Sequence, residues 1–86
     1  MLDSVKKALR ISSNDFDDEL TELIRAAKTD LRLSGIKVIS DSNEIVLQAV
    51  KLYCKAYFGD NDSSNKFLNA YQALKISMSL AGDFRG

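Results

Sequence analysis

At 86 residues the chain has room for one domain. A domain of that size buries only a little more than about 60% of the surface its unfolded chain exposes, so contacts with neighbouring molecules carry unusual weight. Twelve basic side chains balance twelve acidic ones and there is no histidine, which argues against nucleic-acid binding by counterion release and removes the usual neutral-pH base, the His-assisted nucleophile and the commonest transition-metal ligand.

With 45% hydrophobic residues, 28% charged residues and no low-complexity tract, the composition is that of a folded unit. The pattern predicts an all-α fold, a small bundle of four helices at about 2–10, 16–33, 43–58 and 64–80 with a short C-terminal tail, in a single domain over 1–86. In the first helix Leu2, Val5 and Leu9 share a face. It is too short to stand alone. The second follows the candidate caps Ser12, Ser13, Asn14 and Asp15, and opens with Asp17, Asp18 and Glu19, where the helix dipole favours negative charge. Its apolar Phe16, Leu20, Leu23, Ile24, Ala27 and Leu31 fall in one stripe, and Gly35 stands where a helix-ending glycine is expected. Segment 36–42, IKVISDS, reads as a loop, and Asp41 with Glu44 as a capping box starting the third helix near Ser42.

The third helix, IVLQAVKLYCKAYF, is apolar on nearly every side. Only Gln48, Lys51 and Lys55 are strongly polar, and on a helical wheel they share a sector of roughly 60°. Such a helix belongs at the centre of a bundle or between subunits. Gly59 is its expected end. In the fourth, Phe67, Ala70, Tyr71, Leu74 and Met78 make the main stripe, while Ala73, Ile76 and Leu80 form a second ridge well round the cylinder. One ridge can face the core and the other wants a second partner, so self-association is expected. Gly82 should stop this helix, leaving GDFRG as a frayed end.

Patterns that imitate chemistry fail on inspection. Ser4 to Lys7 matches S-x-x-K, but no K-T-G completes that set. Asp60, Asp62 and Ser64 mimic the start of a calcium loop, yet Asn65 stands where Gly is needed and Tyr71 where a bidentate Glu is needed. No phosphate-cradling glycine loop occurs. The lone Cys54 lies among apolar neighbours and reads as a core thiol in a reducing setting. No apolar run spans a bilayer, and MLDSVKKALR lacks the long apolar segment of a secretory signal. No enzyme activity, cofactor, metal, membrane or small-molecule substrate is therefore expected.

Three stretches carry a resemblance: D-x-x-L-x-x-L-I-x-A-A-K at 17–28, A-V-K-L-Y-x-K-A-x-F-G at 49–59 and L-K-I-S-M-S-L-A-G-D at 74–83. Their order and spacing across nearly the whole chain resemble the small head–tail connector (DNA-packaging adaptor) proteins of tailed bacteriophages and prophages. The resemblance implies a homo-oligomeric, dodecameric ring beneath the portal protein, extending the DNA channel and receiving a tail-completion protein. It further implies a place at the head–tail junction of the virion, reached by assembly in the bacterial cytoplasm. By that analogy Tyr53, Tyr57, Ile76 and Leu80 are expected at subunit interfaces, and Asp83, Phe84 and Arg85 as a portal-docking arm. Lys51 and Lys55 are candidates to face the channel, and 36–42 to face the channel or a neighbour. The rival readings are a small homodimeric interaction module and a DNA-binding regulator. For the latter, the second helix displays Asp18, Glu19 and Glu22 beside Arg25, a poor match to phosphate.

Overall fold

In the computed structural model, which describes residues 1–58 and 62–84, the chain forms four α-helices and a closing 3-10 turn. They are α1 (Leu2–Leu9), α2 (Asp17–Leu33), α3 (Glu44–Tyr57) and α4 (Ser64–Leu80), followed by the turn Gly82–Phe84. Among the described residues there is no strand. Each helix lies within a residue of its expected bounds, and the 36–42 segment is a loop as its sequence indicates.

The ends of α1 and α2 close in the same way. Arg10 sits in the left-handed region (φ 60°), its N–H donating to the Lys7 carbonyl while Ile11 N–H reaches back to Lys6. Gly35 (φ 88°) donates to the Arg32 carbonyl and Ile36 N–H reaches back to Leu31. Both are Schellman closures. Glycine adopts the left-handed turn freely, and Ile36 is then carried into the core with no exposed surface.

The helix starts differ from expectation. None of Ser12, Ser13, Asn14 or Asp15 caps α2: its N-cap is Phe16, with no side-chain cap. Asn14 and Asp17 are instead held by Lys6 Nζ of α1, at 2.9 and 2.8 Å, and Ser13 Oγ accepts from Asp15 N–H. For α3 the cap is Asn43, whose Oδ1 accepts from Ile45 and Val46 N–H at 2.9 and 3.1 Å. Asp41 forms no capping box. Its carboxylate receives Lys28 Nζ at 2.8 Å and lies 4.0 Å from the chain's amino terminus. That pairing holds Asp41 below the ordinary carboxylate range, first through the Lys28 hydrogen bond.

α3 is the central element, packing against α1, α2 and α4. Its Val46, Ala49, Val50 and Cys54 have no exposed surface, and neither have Val5 of α1 or Leu20, Ala27 and Leu31 of α2. Its middle is thus roofed by its own chain, and neighbouring copies are not needed to cover it.

The C-terminal segment is not a frayed end through Phe84. The helix gives way at Ala81, whose backbone is extended, and Gly82 begins the 3-10 turn that carries Phe84 inward to 7% exposure. Phe84 C=O then accepts N–H from Lys37 at 2.7 Å and Val38 at 3.3 Å, fastening the 36–42 loop. Burial of such a ring contributes roughly 1.5–3 kcal/mol, which is why the turn orders instead of fraying. Gly59, Asp60 and Arg85 lie outside the described residues.

Candidate assembly surface

α4 owes its two-sidedness to a sequence with apolar side chains at more than one angle. Tyr71 and Met78 point inward at 1% and 2% exposure, while Ile76 and Leu80 remain 58% and 71% exposed. Ala73 is also exposed. The inner face is tied to α2 by polar contacts as well as packing. Tyr71 Oη donates to Asp30 Oδ2 at 2.5 Å and Lys75 Nζ donates to the same oxygen at 3.0 Å. Burial alone would raise the Asp30 pKa, but the Tyr71 and Lys75 hydrogen bonds outweigh it and hold the carboxyl below its ordinary value. The Tyr71 hydroxyl is pushed well up, first by burial and then by its bond to Asp30.

Tyr53 and Tyr57, both expected at an interface, have different settings. Tyr53 is half-buried, with its ring 5.2 Å from Tyr71 and 4.6 Å from Tyr57. Burial raises its hydroxyl pKa. Tyr57, at the end of α3, is 50% exposed. Of the portal-docking residues, Asp83 is exposed and Phe84 is engaged in the chain's own core. The channel candidates Lys51 and Lys55 are half-buried, and Lys55 Nζ stands 5.4 Å from the centre of the Phe67 ring. Cys54 is a buried core thiol pushed up to about 12 by desolvation.

Two features of this surface lie beyond what helical periodicity indicates. Asp30 meets Tyr71 across 41 positions of chain, a pairing that helical periodicity does not encode. An apolar groove of about 230 Å³ opens between the start of α3, the end of α4 and the C-terminal turn, lined by Ile45, Leu74, Ser77, Met78, Ala81 and Phe84. It exists because Phe84 folds back, the step that the sequence reading treated as fraying.

Among the described residues no three His, Cys, Asp or Glu are grouped to hold a metal, and no helix is long and apolar enough to cross a membrane. What the surface offers is contact: a small helical module with apolar side chains on the outer side of its last long helix. The chain matches the phage connector protein family over residues 1–84 and belongs to it. It thereby has the structural role of a phage connector, a virion component. No curated protein and no solved structure matches it.

Proposed function

We propose that this chain is the subunit of a ring-shaped head–tail connector that sits between the portal protein and the tail, extends the DNA channel and receives a tail-completion protein. Family membership over nearly the whole chain supports a connector role, and the observation that carries the ring is the exposed ridge of Ile76 and Leu80 on a helix whose other side is already buried. Two large aliphatic side chains left in water on one helix favour burial against another subunit, each worth roughly 1.5–3 kcal/mol when fully covered. Tyr57, half-exposed at the end of α3, extends the candidate contact. The near-neutral charge offers little repulsion between copies.

The test is the mass of the purified chain by light scattering across concentration, together with electron microscopy of portal-bearing heads incubated with it. A closed ring, free or on the heads, is expected for the wild type, and the double substitution Ile76→Asp with Leu80→Asp should abolish it while leaving the helical circular-dichroism spectrum intact. A chain that stays monomeric at high concentration and does not decorate heads would overturn the reading.

A further inference from the structure

On α2 the exposed residues Glu19, Glu22, Ala26, Thr29 and Leu33 recur at alternating steps of three and four, forming one continuous stripe along the helix. It lies away from the buried row of Leu20, Ile24, Ala27 and Leu31. On α4 the exposed residues Lys66, Asn69, Ala73, Ile76 and Leu80 recur with the identical spacing, away from buried Tyr71 and Met78. Both helices are 17 residues long and both stripes end on a highly exposed leucine, Leu33 at 82% and Leu80 at 71%. This spacing is the one by which two helices pack along a shared seam.

We propose that the α2 stripe of one copy packs on the α4 stripe of a second copy, parallel and in register, as the repeating contact between subunits. This rests on the reading of the chain as a ring subunit and names the surfaces that build the ring. In register, Leu33 meets Leu80, Thr29 meets Ile76, and Ala26 meets Ala73 at mid-seam, where small side chains let the helix axes approach. At the other end Glu19 meets Lys66. No other arrangement of the two stripes matches charge and hydropathy. Reversing α4 would set Glu19 against Leu80 and Leu33 against Lys66. Pairing like with like in parallel would stack Glu19 on Glu19 or Lys66 on Lys66, and pairing like with like in reverse would bury each charge against its own terminal leucine. α4 contains no acidic residue, while the exposed face of the first turns of α2 carries Asp18, Glu19 and Glu22. Because the two surfaces are different, the contact is head-to-tail, and a contact of this kind closes into a ring where the rotation allows. One helix on one helix falls short of the ~800 Å² per partner of a typical stable pair, so single contacts are weak and closure stabilises the whole.

The test is oxidative crosslinking of the full-length double variant Ala26→Cys with Ala73→Cys, with diamide as oxidant, under the conditions in which the wild-type chain forms its ring, free or on portal-bearing heads. The native thiol at Cys54 has no exposed surface and does not compete. A ladder of covalent dimers, trimers and higher multimers is expected from the double variant, and none from either single variant. In parallel, Glu19→Lys and Lys66→Glu should each weaken association about 2- to 5-fold, and the two together should restore it. A ring visible by mass or microscopy without a ladder would overturn the seam and leave the ring reading standing. A covalent dimer from one single variant would overturn it in favour of like-on-like pairing. A chain that forms no ring in any condition would overturn both.

Discussion

α3 and α4 put their apolar side chains to opposite use. α3 is apolar on nearly every side, yet Val46, Ala49, Val50 and Cys54 are wholly buried, because three other helices lie against it. α4 is less uniformly apolar, yet it leaves Ile76 and Leu80 in water. The number of neighbours an element has within its own chain decides what it exposes, and greasiness alone does not. A central helix can be apolar all round at no cost in solubility, whereas an outlying helix with two ridges has one ridge to spare.

The sharpest way to break this contrast is to treat the two helices alike. Val50→Asp places an unpaired carboxylate where no solvent reaches, a change worth several kcal/mol, and the chain should fail to fold, with loss of helical circular dichroism at 25 °C. On α4 the contrast can be drawn within three residues. Met78→Ala, at a site 2% exposed, should cost about 2–5 kcal/mol in urea unfolding through the transfer and cavity terms, while Leu80→Ala should change monomer stability by no more than about 0.5 kcal/mol. A Leu80→Ala loss as large as that of Met78→Ala would show that the outer ridge is part of the core.

How far this contrast was legible beforehand depends on the range of the signal. Periodicity within one helix placed all four helices and separated the two ridges of α4, because a hundred-degree step per residue is a local property. Gly35 was readable for the same reason: a left-handed closing turn favours a glycine. At Arg10 the identical turn is made without one, so the sequence carries no mark of it. Asn43 outcompeted Asp41 as a cap because Asp41 is drawn off to Lys28, 13 positions away. The same reach hid the most consequential features, the Asp30 to Tyr71 bond and the inward fold of Phe84 onto 36–42. Each depends on which helices become neighbours. The outer ridge was visible precursor information, but its match to the stripe on α2 required knowing that both stripes are exposed.

The tie between the inner face of α4 and α2 gives an intermediate effect. Tyr71→Phe keeps the ring in place and removes the hydroxyl that donates to Asp30. A hydrogen bond to a charged acceptor contributes roughly 1.5–3 kcal/mol; Asp30 keeps 37% of its side chain exposed and can rehydrate, so the loss should be near the lower end, about 1–2 kcal/mol. Equal unfolding midpoints for the wild type and Tyr71→Phe would mean that packing alone holds α4.

The same tie fixes the sign of the acid dependence. Asp30 and Asp41 are both held below the ordinary carboxyl value of 3.8 in the folded chain. Their contribution is therefore fully present above that value and is lost as pH falls through the lowered folded pKa. Stability should be level near neutrality and decline below about pH 4, and the gap in urea midpoint between the wild type and Asp30→Asn should narrow from pH 7 to pH 3. At the alkaline end Cys54 is raised from 9.0 to about 12, so its contribution is present below 9.0 and is lost as pH rises through that interval. Cys54→Ala should flatten the alkaline fall. A wild-type curve that keeps rising below pH 4 would show that other groups govern the acid limb.

The smallest expected effect lies on the polar strip of α3, where the central helix reaches its outlying partner. Lys55 Nζ over the Phe67 ring at 5.4 Å joins the end of α3 to the start of α4. A partly exposed contact of this kind is worth about 0.5–1 kcal/mol, so Lys55→Ala should lower the urea midpoint only slightly, and Lys55→Met, which keeps the stem and removes the charge, should recover part of the loss. If Lys55→Met is as damaging as Lys55→Ala, the ammonium charge is what matters there. If it is harmless, the strip serves chiefly as a cover for the apolar helix beneath.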